Sequence, residues 1–102
     1  MAVTTIIIYP RLSVETERVP YDMKTKKFMK IIGGYYRQMF STEYTVIDTK
    51  YDDNYILVMV EGNLQDDKED IEQWVEQCNF IRINDKIVTI TGRMIEFTII
   101  NL

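Results

Sequence analysis

The sequence contains no histidine and a single cysteine, Cys78, in 102 residues. Without histidine there is no Ser-His or Cys-His nucleophile, no imidazole acid or base, and no zinc site built on imidazole. One thiol cannot replace those zinc ligands, and it forms no internal disulfide bond that would indicate an oxidising compartment. We therefore predict an intracellular protein that is not an enzyme and that holds neither a metal ion nor a cofactor.

Long apolar segments are also missing, since no run approaches the ~20 residues that a membrane-spanning helix needs. The first apolar segment, Val3–Tyr9, is short and rich in β-branched residues, and no basic segment precedes it. It is therefore typical of a strand rather than a signal peptide. A composition of 46% hydrophobic and 27% charged residues is ordinary for a globular protein. We expect a single domain, residues 1–102, with no membrane partner.

The pattern over residues 23–40 predicts one amphipathic helix. At about 100° per residue, the eight large apolar side chains between Phe28 and Phe40 fall within an arc of about 180°. The remaining half of the helix is polar and contains Lys30, Gly33, Gly34, Arg37 and Gln38. The glycines are then either tolerated on an exposed face or mark a surface that a partner or a phosphate approaches closely. A phosphate-binding loop is disfavoured, because no third glycine and no Gly-Lys-Ser/Thr follows.

The other elements follow from shorter patterns. Residues 43–50 and 55–60 predict a hairpin around the turn YDDN, and residues 64–79 predict a second helix whose apolar positions are Ile71, Trp74, Val75 and Cys78. Three strands are predicted after it, over residues 80–83, 86–91 and 94–101, with turns at residues 84–85 and 91–93. Residues 10–20 begin and end in proline and predict either an ordered loop or a short edge strand.

These elements predict an α+β fold with two helices packed on a mainly antiparallel sheet, in the order β-α-β-β-α-β-β-β. The order resembles the ferredoxin-like split β-α-β arrangement. That arrangement hosts many unrelated functions, so the resemblance implies no particular activity.

Charge is unevenly distributed, although the net charge is only −4. Residues 18–37 contain six basic residues and one acidic residue, whereas residues 61–76 contain seven acidic residues and one basic residue. The second helix therefore predicts a negative surface that docks on a basic protein partner. Its candidate binding residues are Asp66, Asp67, Glu69, Asp70, Glu72 and Glu76.

Two other classes of function stay open. A nucleic-acid-binding module would use the basic face of helix 23–40, whose candidate residues are Lys26, Lys27, Lys30, Gly33, Gly34 and Arg37. Some of the seven tyrosines can stack on bases in such a module. A carboxylate-dependent enzyme would hold magnesium near Asp48, Asp52 or Asp53.

The segment KFMKIIGGYYRQMF, residues 27–40, is rich in Ile, Tyr, Met and Lys. In this general character the chain resembles the small accessory proteins of phages and archaeal viruses. The resemblance implies an inhibitor or adaptor of a host protein that acts in the host cytoplasm. The oppositely charged segments and the apolar excess also predict a two-fold homodimer, formed through a sheet edge or through Leu12, Val14 and Val19.

Overall fold

A computed structural model describes residues 1–14, 21–77, 80–83 and 86–101. They form strand β1 (Ala2–Val14), helix α1 (Tyr21–Ser41), strand β2 (Val46–Tyr51), strand β3 (Ile56–Glu61), a 3₁₀ turn (Gln65–Asp67), helix α2 (Lys68–Glu76), strand β4 (Phe80–Ile83) and strand β5 (Lys86–Asn101). The predicted α+β class, with two helices packed on an antiparallel sheet, is confirmed.

The strand order in the sheet is β2-β3-β1-β5-β4, and every neighbouring pair is antiparallel. Helix α1 connects β1 to β2, yet β3 lies between these two strands. This inserted strand is the feature that makes a β-α-β unit split. The edge strand β4 is an addition to that unit, and it forms a hairpin with β5.

The last two predicted strands form one strand, because residues 91–93 make a bulge and not a turn. Tyr9 lies opposite Met94, but the next residue, Pro10, lies opposite Gly92. Arg93 is therefore an extra residue in β5, and the two halves of the strand continue on either side of it. A glycine inside a strand often marks such a bulge.

Strand β1 continues through Pro10. The sequence left residues 10–20 as either a loop or an edge strand, and the structure decides between them for residues 10–14. Pairing of β1 with β3 ends at Ile8, whereas pairing with β5 continues to Val14. Proline lacks an N–H donor and is tolerated at bulges and where one side of a strand has no partner. Residues 10–14 are therefore strand, and residues 15–20 lie outside the described part of the chain.

Both helices cover the same face of the sheet. Ile6 on β1 lies opposite Val58 on β3 and opposite Phe97 on β5, and residues directly opposite in an antiparallel pair share a face. Side chains of α1 and α2 pack on this face in one core with Ile6 and Val58. The Nζ atom of Lys68, in α2, lies 5.9 Å from the centre of the Phe97 ring.

Helix α1 is continuous through the glycine pair, as predicted, but its buried face is rotated relative to the prediction. Gly33 is buried, and an added Cβ would lie 3.9 Å from Cγ2 of Ile56 and 3.9 Å from Cβ of Tyr51. Ile31 and Tyr35, predicted to be apolar-face residues, are 37% and 42% exposed. The assignment of Gly33 to the exposed polar face is therefore wrong. A residue without a side chain has no hydropathy that reveals its orientation.

Helix α2 is shorter than the predicted segment 64–79. Leu64 precedes the 3₁₀ turn, and α2 ends at Glu76. Asp67 occupies the N-cap position, but its side chain makes no capping hydrogen bond. Cys78 and Asn79 lie outside the described residues.

Candidate functional site

Five of the six predicted acidic residues are exposed on or just before α2. Asp66, Asp67, Glu69, Asp70 and Glu76 are exposed, whereas Glu72 is half-buried. The opposite side of α2 is fixed to the core by Ile71 and Val75, which are both buried. The structure therefore leaves most of the predicted acidic set exposed to solvent on or just before α2, and we call these residues the acidic face (Asp66, Asp67, Glu69, Asp70 and Glu76).

The start of this acidic face is held in place by a buried hydrogen bond network. The Thr4 hydroxyl donates to the carbonyl oxygen of Gly62 at 2.7 Å and accepts from the N–H of Leu64 at 3.0 Å. Gly62 has φ of 104°, in the left-handed region that favours glycine, and its N–H donates to the carbonyl oxygen of Ala2 at 2.8 Å. Strand β1 thereby fixes the chain direction just before α2.

A pocket of about 340 Å³ lies between the connection that follows α1 and the first half of α2. It is lined by Glu43, Tyr44, Asp70, Ile71 and Trp74. Tyr44 and Trp74 are half-buried and Ile71 is buried, while the two carboxylate residues are exposed. The pocket therefore has aromatic and aliphatic walls with negative charges at its rim.

The aromatic wall is held by the hydrophobic core. The ring of Trp74 meets the ring of Phe40 edge to face, with 5.5 Å between the centroids and 71° between the planes. Phe40 is fully buried near the end of α1. This geometry is the favourable one for an aromatic pair, because the ring edge of one partner meets the electron-rich face of the other.

Tyr44 connects the pocket to the start of the acidic face. Its hydroxyl donates a hydrogen bond to Oδ2 of Asp67 at 3.1 Å. The pKa of Tyr44 is raised to about 12, first by burial, then by this hydrogen bond and the charge of Asp67, and further by the charges of Glu43 and Asp70. The phenol therefore stays protonated at neutral pH and remains a hydrogen bond donor.

The predicted basic residues occupy the exposed side of α1. Lys26, Lys27, Lys30 and Arg37 are all exposed. Gly34 is exposed as predicted, with no atom within 4 Å of an added Cβ, but Gly33 faces the sheet and adds nothing to this surface. Gly33 therefore permits a close approach between α1 and the sheet inside the protein, whereas Gly34 lies on the outer surface.

The three carboxylates predicted for a magnesium site do not converge. Oδ1 of Asp48 accepts a hydrogen bond from the N–H of Thr49 at 2.8 Å, and Oδ1 of Asp52 accepts one from the N–H of Asp53 at 2.7 Å. In the part of the chain that the structure describes, no group of three or more His, Cys, Asp or Glu residues is placed to hold a metal ion. The Asp48 and Asp52 carboxylates instead accept hydrogen bonds from the backbone beside them.

The sequence pattern does not reveal Glu43 and Tyr44 as site residues, and it assigns Trp74 to the core. Tyr44 and Asp67 are 23 positions apart, so no local spacing connects them. The one local signal is an aromatic residue just after the end of an apolar helix, and that signal is equally typical of a core position.

Within the residues that the structure describes, neither helix has the length and apolar character required to cross a bilayer. No protein-family model, no curated protein and no solved structure matches this chain.

Proposed function

We propose that the chain is a small non-enzymatic protein that binds another protein through the acidic face and the pocket beside it. The pocket lined by Glu43, Asp70 and Trp74 is the observation that carries this proposal, because it adds an open concave site with aromatic and acidic walls to a charged surface. Charge alone gives weak, screened attraction, whereas a desolvated cavity can hold a single anchoring side chain.

The chemistry of the pocket selects a lysine or arginine side chain as the anchor. The methylene stem of such a residue packs on Ile71 and Trp74, and its charged head lies near the carboxylates of Glu43 and Asp70. A cation beside an indole ring adds a further favourable interaction. The partner therefore presents a basic residue on a positively charged surface.

A labelled lysine- and arginine-rich peptide is the probe that tests this proposal by fluorescence anisotropy. The double variant Glu43→Gln and Asp70→Asn should weaken binding by about tenfold or more, because hydrogen-bonded charges at a desolvated anchor contribute about 1.4 kcal/mol or more. An acidic peptide of the same length should not bind.

The matched control is Asp52→Asn with Asp53→Asn, which removes the same charge from the exposed turn before β3. Equal weakening by both double variants would show attraction to net charge alone and would contradict the pocket. Reversal of Asp66, Glu69 and Asp70 to Lys should abolish capture of the natural partner while the fold is kept, since all three are exposed. A pull-down from the native host then identifies that partner.

The proposal extends to the setting of this interaction. The protein acts inside a cell and forms a two-fold homodimer. In a phage or a virus, a binding protein of this kind inhibits or adapts a host protein in the host cytoplasm. Copurification of a host protein with the unmodified chain, and not with the charge-reversed variant, supports that role.

Nucleic-acid binding is the second candidate function, and the exposed positions of Lys26, Lys27, Lys30 and Arg37 on α1 favour it. If they bind phosphates, affinity must fall steeply with salt, because bound counterions are released. Replacing Lys30 and Arg37 with Gln should then weaken binding to all sequences alike. A gel shift at two salt concentrations separates this function from the first, since the acidic face takes no part in it.

A further inference from the structure

The face of the sheet opposite the helices carries a half-buried apolar centre. Ile7 on β1 and Leu57 on β3 lie directly opposite each other, with Thr5 opposite Met59 one step along. All four side chains are half-buried, although α1 and α2, the helices that the structure describes, both pack on the other face. We call this surface the open face (Thr5, Ile7, Leu57 and Met59, with the flanking positions of β2 and β5).

Residues of opposite charge flank the apolar centre of the open face in one row of paired residues across the sheet. Lys50 on β2 pairs with Leu57, and Glu96 on β5 pairs with Ile7. One row across the sheet therefore contains, in order, Lys50, Leu57, Ile7 and Glu96, with both charged residues exposed. Tyr9 lies on the same face, and its pKa is raised first by burial and then by the charge of Glu96.

This row is complementary to itself under a two-fold rotation. Consider a two-fold axis that is parallel to the strands and passes between β3 and β1. It places β3 of one copy opposite β1 of the other, and β2 of one copy opposite β5 of the other. Lys50 then faces Glu96 of a second copy, and Leu57 faces Ile7 of that copy. The next row behaves similarly, because Asp48 faces Thr98, which offers a hydroxyl donor to the carboxylate.

We propose that the open face binds the open face of a second copy of this chain, forming a two-fold dimer with two Lys50–Glu96 ion pairs. The inference rests on the proposed self-association and assigns its surface. It replaces the sheet-edge contact expected from the sequence with a face-to-face contact, in which the apolar centre is covered and each charge meets its opposite.

The geometry of packed sheets permits these pairs. Strands about 4.8 Å apart place Lys50 and Glu96 each about 7 Å from the centre of the row. Two sheets packed face to face cross at about 30°, which displaces each end of the row by about 4 Å relative to its partner. The flexible side chain of lysine spans that displacement.

Sedimentation equilibrium of single and mixed variants tests the proposal. Lys50→Glu alone and Glu96→Lys alone place like charges opposite each other, and each should raise the dimer dissociation constant by about tenfold or more. An equimolar mixture of the two variants should restore dimers, because the carboxylate introduced at position 50 of one chain then faces the ammonium group introduced at position 96 of the other. The double variant Lys50→Glu with Glu96→Lys should dimerise by itself.

The controls are Lys30→Glu on α1 and Glu69→Lys on α2, which change exposed charges of the same kinds away from the open face. They should leave the dissociation constant unchanged, and circular dichroism should show the native fold in every variant. A dimer that all variants keep, or one that only the control variants disrupt, would overturn the assignment of this surface while self-association stands. A monomeric unmodified protein at high micromolar concentration would overturn both.

Discussion

The hydroxyl of Tyr44 donates a hydrogen bond to Oδ2 of Asp67, the residue that immediately precedes α2. The Asp67 carboxylate makes no capping hydrogen bond to the backbone of α2. It accepts the hydrogen bond of Tyr44 instead. This contact joins the connection after α1 to the start of α2 beside the pocket. The hydrogen bond therefore helps to hold Tyr44, one wall of the pocket, against the start of α2.

Tyr44 should ionise well above an ordinary tyrosine. Spectrophotometric titrations of the unmodified protein and of Tyr44→Phe can be subtracted to isolate the Tyr44 phenol. We expect this difference to show one phenol with a pKa of about 12, against an ordinary value of 10.0. Asp67→Asn removes a negative charge beside the phenol and should lower this pKa toward the ordinary value. A midpoint near pH 10 in the difference titration would contradict the burial of Tyr44 and its hydrogen bond to Asp67.

The same group should make stability depend on alkaline pH. The pKa of Tyr44 is higher in the folded state than its ordinary value of 10.0, so the folded state binds more protons between about pH 10 and 12. The contribution of Tyr44 to the free energy of unfolding is therefore complete below pH 10 and is lost as the pH rises through 12. Urea unfolding at several alkaline pH values should show a steeper loss in the unmodified protein than in Tyr44→Phe. Equal slopes would count against this linkage.

Two adjacent isoleucines test the rotated face of α1. Ile32 is fully buried, whereas Ile31 is 37% exposed. Ile32→Ala should lower the free energy of unfolding by about 2–5 kcal/mol, because it removes buried methyl groups and leaves a cavity. Ile31→Ala should cost less than about 1 kcal/mol. Chemical denaturation measures both, and similar losses at the two positions would show that the helix faces the core as the hydropathy pattern predicts.

The glycines of α1 should tolerate alanine. Gly33→Ala places Cβ in ordinary contact with Ile56 and Tyr51, and Gly34→Ala places it in open space. Each substitution should stabilise the fold by up to about 1 kcal/mol, since glycine is that much less favourable than alanine inside a helix. Gly62→Ala is the matched control and should destabilise by about 1–2 kcal/mol, because its φ of 104° is strained for a residue with a Cβ. A lower melting temperature for the Gly33 and Gly34 variants would refute a continuous helix.

The hydroxyl of Thr4 should matter more than its methyl group. Thr4→Val keeps the shape but leaves the half-buried carbonyl of Gly62 and the buried N–H of Leu64 without these hydrogen bonds. We expect a loss of about 2 kcal/mol or more in the free energy of unfolding. Thr4→Ser keeps both hydrogen bonds and should cost only about 1 kcal/mol for the lost methyl group. Thermal unfolding of the two variants decides, and a more stable valine variant would contradict the role of this network.

Local patterns were sufficient for the class of fold and for most of its elements. β-Branched runs predict β1 and β3, the 3.6-residue period predicts α1 and α2, and the turn at residues 84–85 predicts the β4–β5 hairpin, whose strands are present. These patterns work because each reflects the preference of a short segment for burying one face. The acidic face was predictable for the same reason, since solvent-facing charges on a short helix follow from the positions of Ile71 and Val75.

Features that depend on contacts between segments far apart in the sequence could not be predicted from local patterns. Residues 91–93 form a bulge because strand β1 continues alongside them past Pro10, and Gly33 is buried because β2 and β3 pass beneath it. The pocket exists because Tyr44, which follows α1, and Trp74, in α2, line the same cavity although they are far apart in the sequence. Local patterns in the sequence were enough to predict most of the helices and strands and the charges exposed on α2. Pairing and packing over long separations decided which apolar positions are covered and which charges share a surface, because those depend on contacts that no local period encodes.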